Sequence, residues 1–309
     1  MLFKTPLDIE IRLNDEDKRK HVDVRSKGGP VDKLPIYEDG ESVKGVVHIR
    51  TKEGKRIEHS GIKVQLLGTI ETNVDSVSSN DFLSLANELA APSQLSHVET
   101  YPFEFRNVEK QYESYRGINA NLKYVLRVTV SRNSTDITRE KELWVYQYKS
   151  SITSEEENAN SPSKDVGKVS SKSAVRMDVG IEDCLHIDFE YLKSSFSLKD
   201  VIVGKIFFLL VRLKIKHMEI SLIRRETVGS PPNQVTDSST IVRFEIMDGA
   251  PAKGETIPIR LFLRGFDLCP TYRDVNKKFS TRTYLSLVLI DEDSRRYFKQ
   301  SEIFLYRDL

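Results

Sequence analysis

Apolar residues recur at every second position over most of the chain. Leu7, Ile9, Ile11 and Leu13 alternate with Asp8, Glu10 and Arg12, and Ile62, Val64, Leu66 and Ile70 repeat the rhythm. Tyr101, Phe103 and Phe105 follow, then the long run Leu122, Tyr124, Leu126, Val128 and Val130. Successive side chains of an extended chain point to opposite faces, so each run sends one row into a core and the other toward water. Strands at this density, separated by turn residues, predict an all-β protein built from sandwiches.

The second half keeps the same period in Leu185, Ile187, Phe189 and Tyr191 and in Leu285, Leu287 and Leu289. Leu209, Val211, Leu213 and Ile215 share one parity, whereas Met218, Ile220 and Leu222 share the other. The phase slips beside His217, which predicts a β-bulge or a strand break there. Further on, EIMDGAPAKGE (245–255) joins two alternating runs through a loop holding Gly249, Pro251 and Gly254. Ile246 and Met247 stand side by side at its mouth, where period two would allow only one inward apolar residue.

One segment departs from period two. Phe82, Leu85, Ala86 and Leu89 fall at helical spacing, with Asn80 as a cap and Pro92 as a stop, and predict one short helix laid over the N-terminal sheet. VGSPPNQVTDSST (228–240) reads as a long, polar, mobile loop. From 150 to 173 the chain is rich in Ser, Glu, Asn and Lys and has no aromatic residue. Such a stretch buries too little surface to offset its ordering entropy. The expected division is therefore an N-terminal sandwich over 1–149, a flexible Ser-rich linker over 150–174 and a C-terminal sandwich over 175–309.

Composition adds few constraints. The 309 residues are 39% hydrophobic and 30% charged, with a net charge of +1, so the whole molecule offers no strong field toward nucleic acid or a membrane. The two cysteines, Cys184 and Cys269, lie far apart and outside any CxxC pattern, against a disulfide scaffold or a structural zinc site. The N-terminal residues turn charged at once and lack a signal-peptide h-region, which leads to the expectation of a cytosolic protein.

Candidate chemistry is sparse. There is no GxSxG, Walker A, GxGxxG or HExxH motif, so no catalytic residue, cofactor or metal is assigned. Cys184 and His186 share a parity and could form half of a metal site, but no second pair accompanies them. Asp291-Glu-Asp293 and the basic runs Lys18-Arg-Lys20 and Arg295-Arg296 read as solvated turns. Trp144, with Tyr146 and Tyr148 on its parity, reads as core or domain interface. A balanced all-β chain without a reactive constellation is most economically a binding protein.

Several longer strings resemble one family. They include YEDGESVKG (37–45), FRNVEKQYESYRG (105–117), GIEDCLHIDFEY (180–191), SLKDVIVGKIFFLLVRLKIKHMEISLIRRE (197–226) and FEIMDGAPAKGETIPIRLFL (244–263). DVNKKFS (274–280) and IDEDSRRYFKQSEI (290–303) complete the set. On these strings the chain resembles the vacuolar protein sorting-associated protein 26 family, the arrestin-like subunit of retromer. The Ser-rich linker is longer than the family's.

The resemblance implies an arrestin-like fold of two tandem β-sandwiches and a non-catalytic role on the cytosolic face of endosomes. Its implied partners are a helical solenoid scaffold subunit, sorting nexins and the cytosolic tails of transmembrane cargo. It places the protein near the membrane without insertion and involves no nucleic acid. Carried onto this chain, it assigns scaffold binding to Ile246, Met247, Asp248 and Gly249. Cargo and sorting-nexin binding falls to Arg176, Met177, Val179 and Phe298. The alternative is an arrestin-type adaptor that reads phosphorylated receptors through buried basic residues, for which the first strand offers Arg12.

Overall fold

The computed structural model describes residues 6–25, 29–52, 56–73, 77–148 and 174–309. The chain divides into two compact units, Met1–Gln147 and Tyr148–Leu309. Nearly all of the expected linker, 150–173, lies outside the described residues.

The first unit opens with β1 (Leu7–Leu13), β2 (His21–Arg25), β3 (Val31–Glu38) and β4 (Val43–Thr51). Next come β5 (Ile57–His59), β6 (Gly61–Asn73), β7 (Val77–Ala90) and β8 (Ser93–Leu95). Then follow β9 (Glu99–Phe105), β10 (Tyr115–Arg116), β11 (Ala120–Ser131) and β12 (Ile137–Tyr146). Two sheets carry the sandwich, one ordered β1-β4-β9 and the other β2-β3-β12-β11-β6-β7, while β5 and β8 pair only with each other. The alternating rows fill the core: Leu7 through Leu13 on β1 and Leu122 through Val130 on β11 are all buried.

The segment expected to be a helix is strand β7. The register explains the misleading spacing. Gly68 pairs with Leu83 and Thr69 with Asp81, which leaves Phe82 as an extra residue; Ile62 pairs with Ala90 and Lys63 with Glu88, which leaves Leu89 extra. Each bulge resets the alternation, so a strand with two of them imitates a helical repeat. Phe82 is then held edge-on against Tyr112 and Tyr124, at 5.3 and 5.4 Å between centroids. Gly68 makes room for it, since a Cβ there would lie 2.6 Å from the Phe82 ring.

The second unit comprises β13 (Val175–Ile181), β14 (Leu185–Tyr191), β15 (Ser195–Ser197), β16 (Val201–Val211) and β17 (Ile215–Val228). β18 (Val235–Asp248), β19 (Thr256–Phe262), β20 (Tyr272–Val275), β21 (Phe279–Asp291) and β22 (Arg296–Tyr306) complete it. One sheet is ordered β13-β14-β16-β19, the other β15-β22-β21-β17-β18, with β20 attached to β21. Phe189, Phe208, Leu222, Leu285, Leu287 and Leu289 are fully buried between them. The phase slip near His217 is a break after β16 followed by a bulge: Ile215 pairs with Asp291 and His217 with Ile290, leaving Lys216 extra.

The expected mobile loop at 228–240 is mostly strand. β17 and β18 pair out to Val228 and Val235, so only a short turn remains between them. Its polar residues mark an edge strand with little to bury, and the Thr227 and Thr236 hydroxyls meet across the pair at 3.2 Å.

Candidate partner-binding surfaces

The residues assigned to scaffold binding end β18, the edge strand of its sheet. Met218 pairs with Met247 and Glu219 with Glu245, which leaves Ile246 as the extra residue of a bulge. A bulge lets consecutive side chains lie on one side. Ile246 and Met247 accordingly both pack, half-buried, against the core, and this accounts for two apolar neighbours at the loop mouth. Asp248 is exposed opposite His217. Gly249 turns the chain out of the strand at a φ of 92°, a left-handed conformation that favours glycine, and its amide donates to the Lys216 carbonyl at 2.7 Å.

Beside this bulge the two edge strands β18 and β19 leave a groove of about 510 Å³ lined by Phe244, Ile246, Ile257, Ile259, Phe262 and Phe266, among others. Phe262 is 59% exposed and Phe244 is 42% exposed, the latter tilted against Phe266 with 6.0 Å between ring centroids. Arg260 and Arg264 add positive charge to the lining. Sequence reasoning missed these phenylalanines, although a signal existed. Phe262 sits on the outward parity of the run Ile257, Ile259, Leu261 and Leu263, where a solvated strand face would carry a polar residue.

The residues assigned to cargo lie on β13, an edge of the other sheet, and on the part of β22 around Phe298, where β21 is its strand partner and β15 pairs only farther along at Phe304–Tyr306. β13 pairs only with β14, in an unbroken register from Val175 to Ile181, and lies against β22 across the sandwich. Met177 and Val179 are only 3% and 6% exposed. Their side chains belong to the core, so β13 can offer a partner its backbone and its outward residues. Arg176 is one of these and is bonded to the buried Asp188 carboxylate, which raises the guanidinium further above its ordinary value. The other Asp188 oxygen lies 3.5 Å from His186 Nε2. Phe298, on β22 opposite Val288, is 65% exposed.

Other candidates change character. Arg12 is exposed and ion-paired with Glu10 at 2.8 Å, outside any buried polar cluster. Cys184 lies in the turn between β13 and β14, its amide bonded to the Ile181 carbonyl, so it does not share a strand face with His186. Asp291 is buried rather than solvated, accepting bonds from the Arg295 amide at 2.8 Å and the Tyr297 hydroxyl at 3.0 Å. Arg19 is stacked over Tyr37 at 3.9 Å and bonded to Glu41, also unlike a solvated run. Trp144 is half-buried, while the opposite parity, Leu143 and Val145, fills the core. Among the described residues no group of three His, Cys, Asp or Glu side chains is placed to hold a metal, and no helix is long and apolar enough to cross a membrane.

The family model described as vacuolar protein sorting-associated protein 26 matches residues 3–294. The chain is 52% identical to vacuolar protein sorting-associated protein 26 of Schizosaccharomyces pombe, over 99% of this chain and 97% of that one. It is 50% identical to the protein of that name from Caenorhabditis elegans, over 99% of this chain and 81% of the relative. With vacuolar protein sorting-associated protein 26B of Homo sapiens the identity is 49%, over 99% and 86%.

Proposed function

The chain belongs to the vacuolar protein sorting-associated protein 26 family, and on that premise we propose that it is the non-catalytic, arrestin-like subunit of the retromer cargo-selective complex. It docks on the helical solenoid scaffold through the Ile246–Gly249 end of β18. With a sorting nexin, it takes up transmembrane cargo tails along β13, beside Phe298, on the cytosolic face of endosomes. An extended tail adds most simply as a further strand to an open edge, with backbone bonds for affinity and an apolar wall for selectivity.

The observation that carries this reading is the bulge at Ile246. It brings two large apolar side chains together on an edge strand, half-covered, next to an open apolar groove. Covering an apolar side chain completely is worth about 1.5–3 kcal/mol. Each of the two is half-buried already, so a partner gains roughly half of that per residue, plus the exposed Phe262. A cluster of this kind fits a binding hot spot.

Pull-down and titration with the solenoid subunit test it. Ile246→Asp combined with Met247→Asn should abolish binding at micromolar concentrations, with a melting temperature lowered by a few degrees because both residues also touch the core. Phe262→Ser, on an exposed side chain, should weaken binding and leave melting unchanged. Full binding by either folded variant would overturn the docking assignment.

A further inference from the structure

At the β5–β8 ribbon of the N-terminal unit lies a second cavity, of about 800 Å³, formed where three segments meet. Ile57–His59 pairs with Ser93–Leu95, His59 facing Ser93, and the turn Arg132-Asn133-Ser134 closes the third side. The Ser60 amide donates to the Ser131 carbonyl at 2.8 Å and ties that turn to the ribbon.

Period two sends Ile57 and His59 inward with Leu95, and all three are buried. A histidine replaces an apolar residue in this inward row, and its Nδ1 is buried without a hydrogen-bond partner among the described residues. A buried ring nitrogen in that state costs free energy unless something fills its valence. Two arginines share the cavity wall with it. Arg56 makes no hydrogen bond or ion pair to any described residue. Arg132 donates from Nε to the Thr135 carbonyl at 3.0 Å, and its two terminal nitrogens have no described partner. The remaining lining is mostly hydroxyl and amide, from Ser60, Ser93, Gln94, Asn133 and Ser134, with one carboxylate, Glu58.

Two guanidinium groups with nitrogens free of described partners, sharing one cavity wall, suit an anion of fixed geometry, and phosphate is the anion that guanidinium forks hold best. The cavity is within the size range of small-molecule sites and far larger than one phosphate needs. Its hydroxyl and amide groups, and Glu58 as an acceptor, suit a ligand that itself carries hydroxyls. We propose that this cavity binds a phosphorylated polyol of the inositol phosphate class. Arg56 and Arg132 hold phosphate, and the seryl and amide groups meet the ring hydroxyls. The ligand is either a soluble inositol phosphate or the headgroup of an inositol lipid. The site is independent of the scaffold and cargo surfaces, which lie on the other unit.

Both sources can be tested on the full chain, with inositol trisphosphate in solution and with phosphatidylcholine vesicles with or without a phosphatidylinositol phosphate. The parent protein should bind at least one of them, and Arg56→Ala with Arg132→Ala should weaken that binding about a hundredfold, roughly tenfold per arginine, at unchanged melting temperature. Binding of the soluble compound alone would identify a free ligand, and binding of vesicles, lost in the double variant, a lipid headgroup. Should the double variant fail to fold, Arg56→Glu alone, at an exposed position, should weaken binding about tenfold or more. The proposal is overturned if neither probe binds, if the arginine variants bind as tightly as the parent, or if phosphatidylserine vesicles bind equally well. Preferential capture of a phosphopeptide over inositol trisphosphate would also overturn it.

Discussion

Lys110 is fully buried, and its ammonium donates to three backbone carbonyls: Glu38 at 2.9 Å, Glu41 at 2.6 Å and Val108 at 3.1 Å. It fastens the β3–β4 turn to the segment after β9, and its own amide adds a bond to Asp39 Oδ1 at 2.6 Å. Burial penalises the charged form more than nearby Glu41 and Asp39 favour it, and the pKa falls from 10.5 to about 8. Below pH 8 the lysine is protonated in both the folded and the unfolded chain, and the full cost of burying the charge is present. Between about 8 and 10.5 the unfolded chain holds a proton that the folded chain has released, so stability rises with pH across that window. A shift of 2.5 units (10.5 minus 8) corresponds to about 3 kcal/mol at ~1.4 kcal/mol per unit.

Lys110→Met removes the titration while keeping much of the side-chain volume. The difference in unfolding free energy, parent minus variant, should therefore grow by about 3 kcal/mol between pH 7.5 and 10.5. Taking the difference cancels other groups, including Tyr37, whose pKa is raised by burial to about 12 and which lowers stability as pH rises above 10. Urea titrations of both proteins across that range give the measurement. Parallel stability curves would show that Lys110 titrates alike in both states, and the account of its burial would fall.

Two further outcomes separate packing from binding. Phe298→Ala should weaken binding of a hydrophobic cargo-tail peptide in the presence of a sorting nexin without altering melting, whereas Val179→Asn should cost roughly 2 kcal/mol or more of stability, because it places an amide in the core; unchanged peptide affinity in folded Phe298→Ala would move the cargo site elsewhere. Gly204→Ala should destabilise by about 1–3 kcal/mol in urea, because its Cβ would lie 2.5 Å from the Glu190 carbonyl and 2.7 Å from the Phe189 ring; a loss below about 0.5 kcal/mol would mean that the sheet yields there at little cost.

Much of the fold was legible because one row of each strand faces water. The runs at Leu7, Leu122, Leu185 and Leu285 carry that contrast, and all of them are strands with the apolar row buried. Reading failed where a bulge resets the phase. Phe82 and Leu89 gave β7 a helical spacing, and the polar start of β18 hid a strand because an edge has little to bury. Burial of Lys110 and Asp291 depends on carbonyls, amides and hydroxyls that no local pattern reveals. At the candidate surfaces, the apolar doublet Ile246-Met247 was visible as an anomaly, but its cause, an extra residue in the ladder, was not. The inward parity of Met177 and Val179 was available in the sequence, and only resemblance assigned them to a ligand. The buried His59 had no motif around it, since its cavity joins three segments far apart in the chain.

The two flanks of the C-terminal sandwich differ in how another chain could use them. On one, β18 carries extra residues at Ile241 and Ile246, and its neighbour β19 contains Pro258, which has no amide hydrogen to give. The two bulges and the proline interrupt any continuous backbone ladder along this flank, so it favours recognition by shape and side chains over strand addition. On the other, β13 runs seven residues without a bulge or a proline, and its backbone groups have a partner on one side only. That flank asks of a newcomer little more than an extended conformation. The two flanks thus speak different grammars, and a contact suited to one gains little from the other.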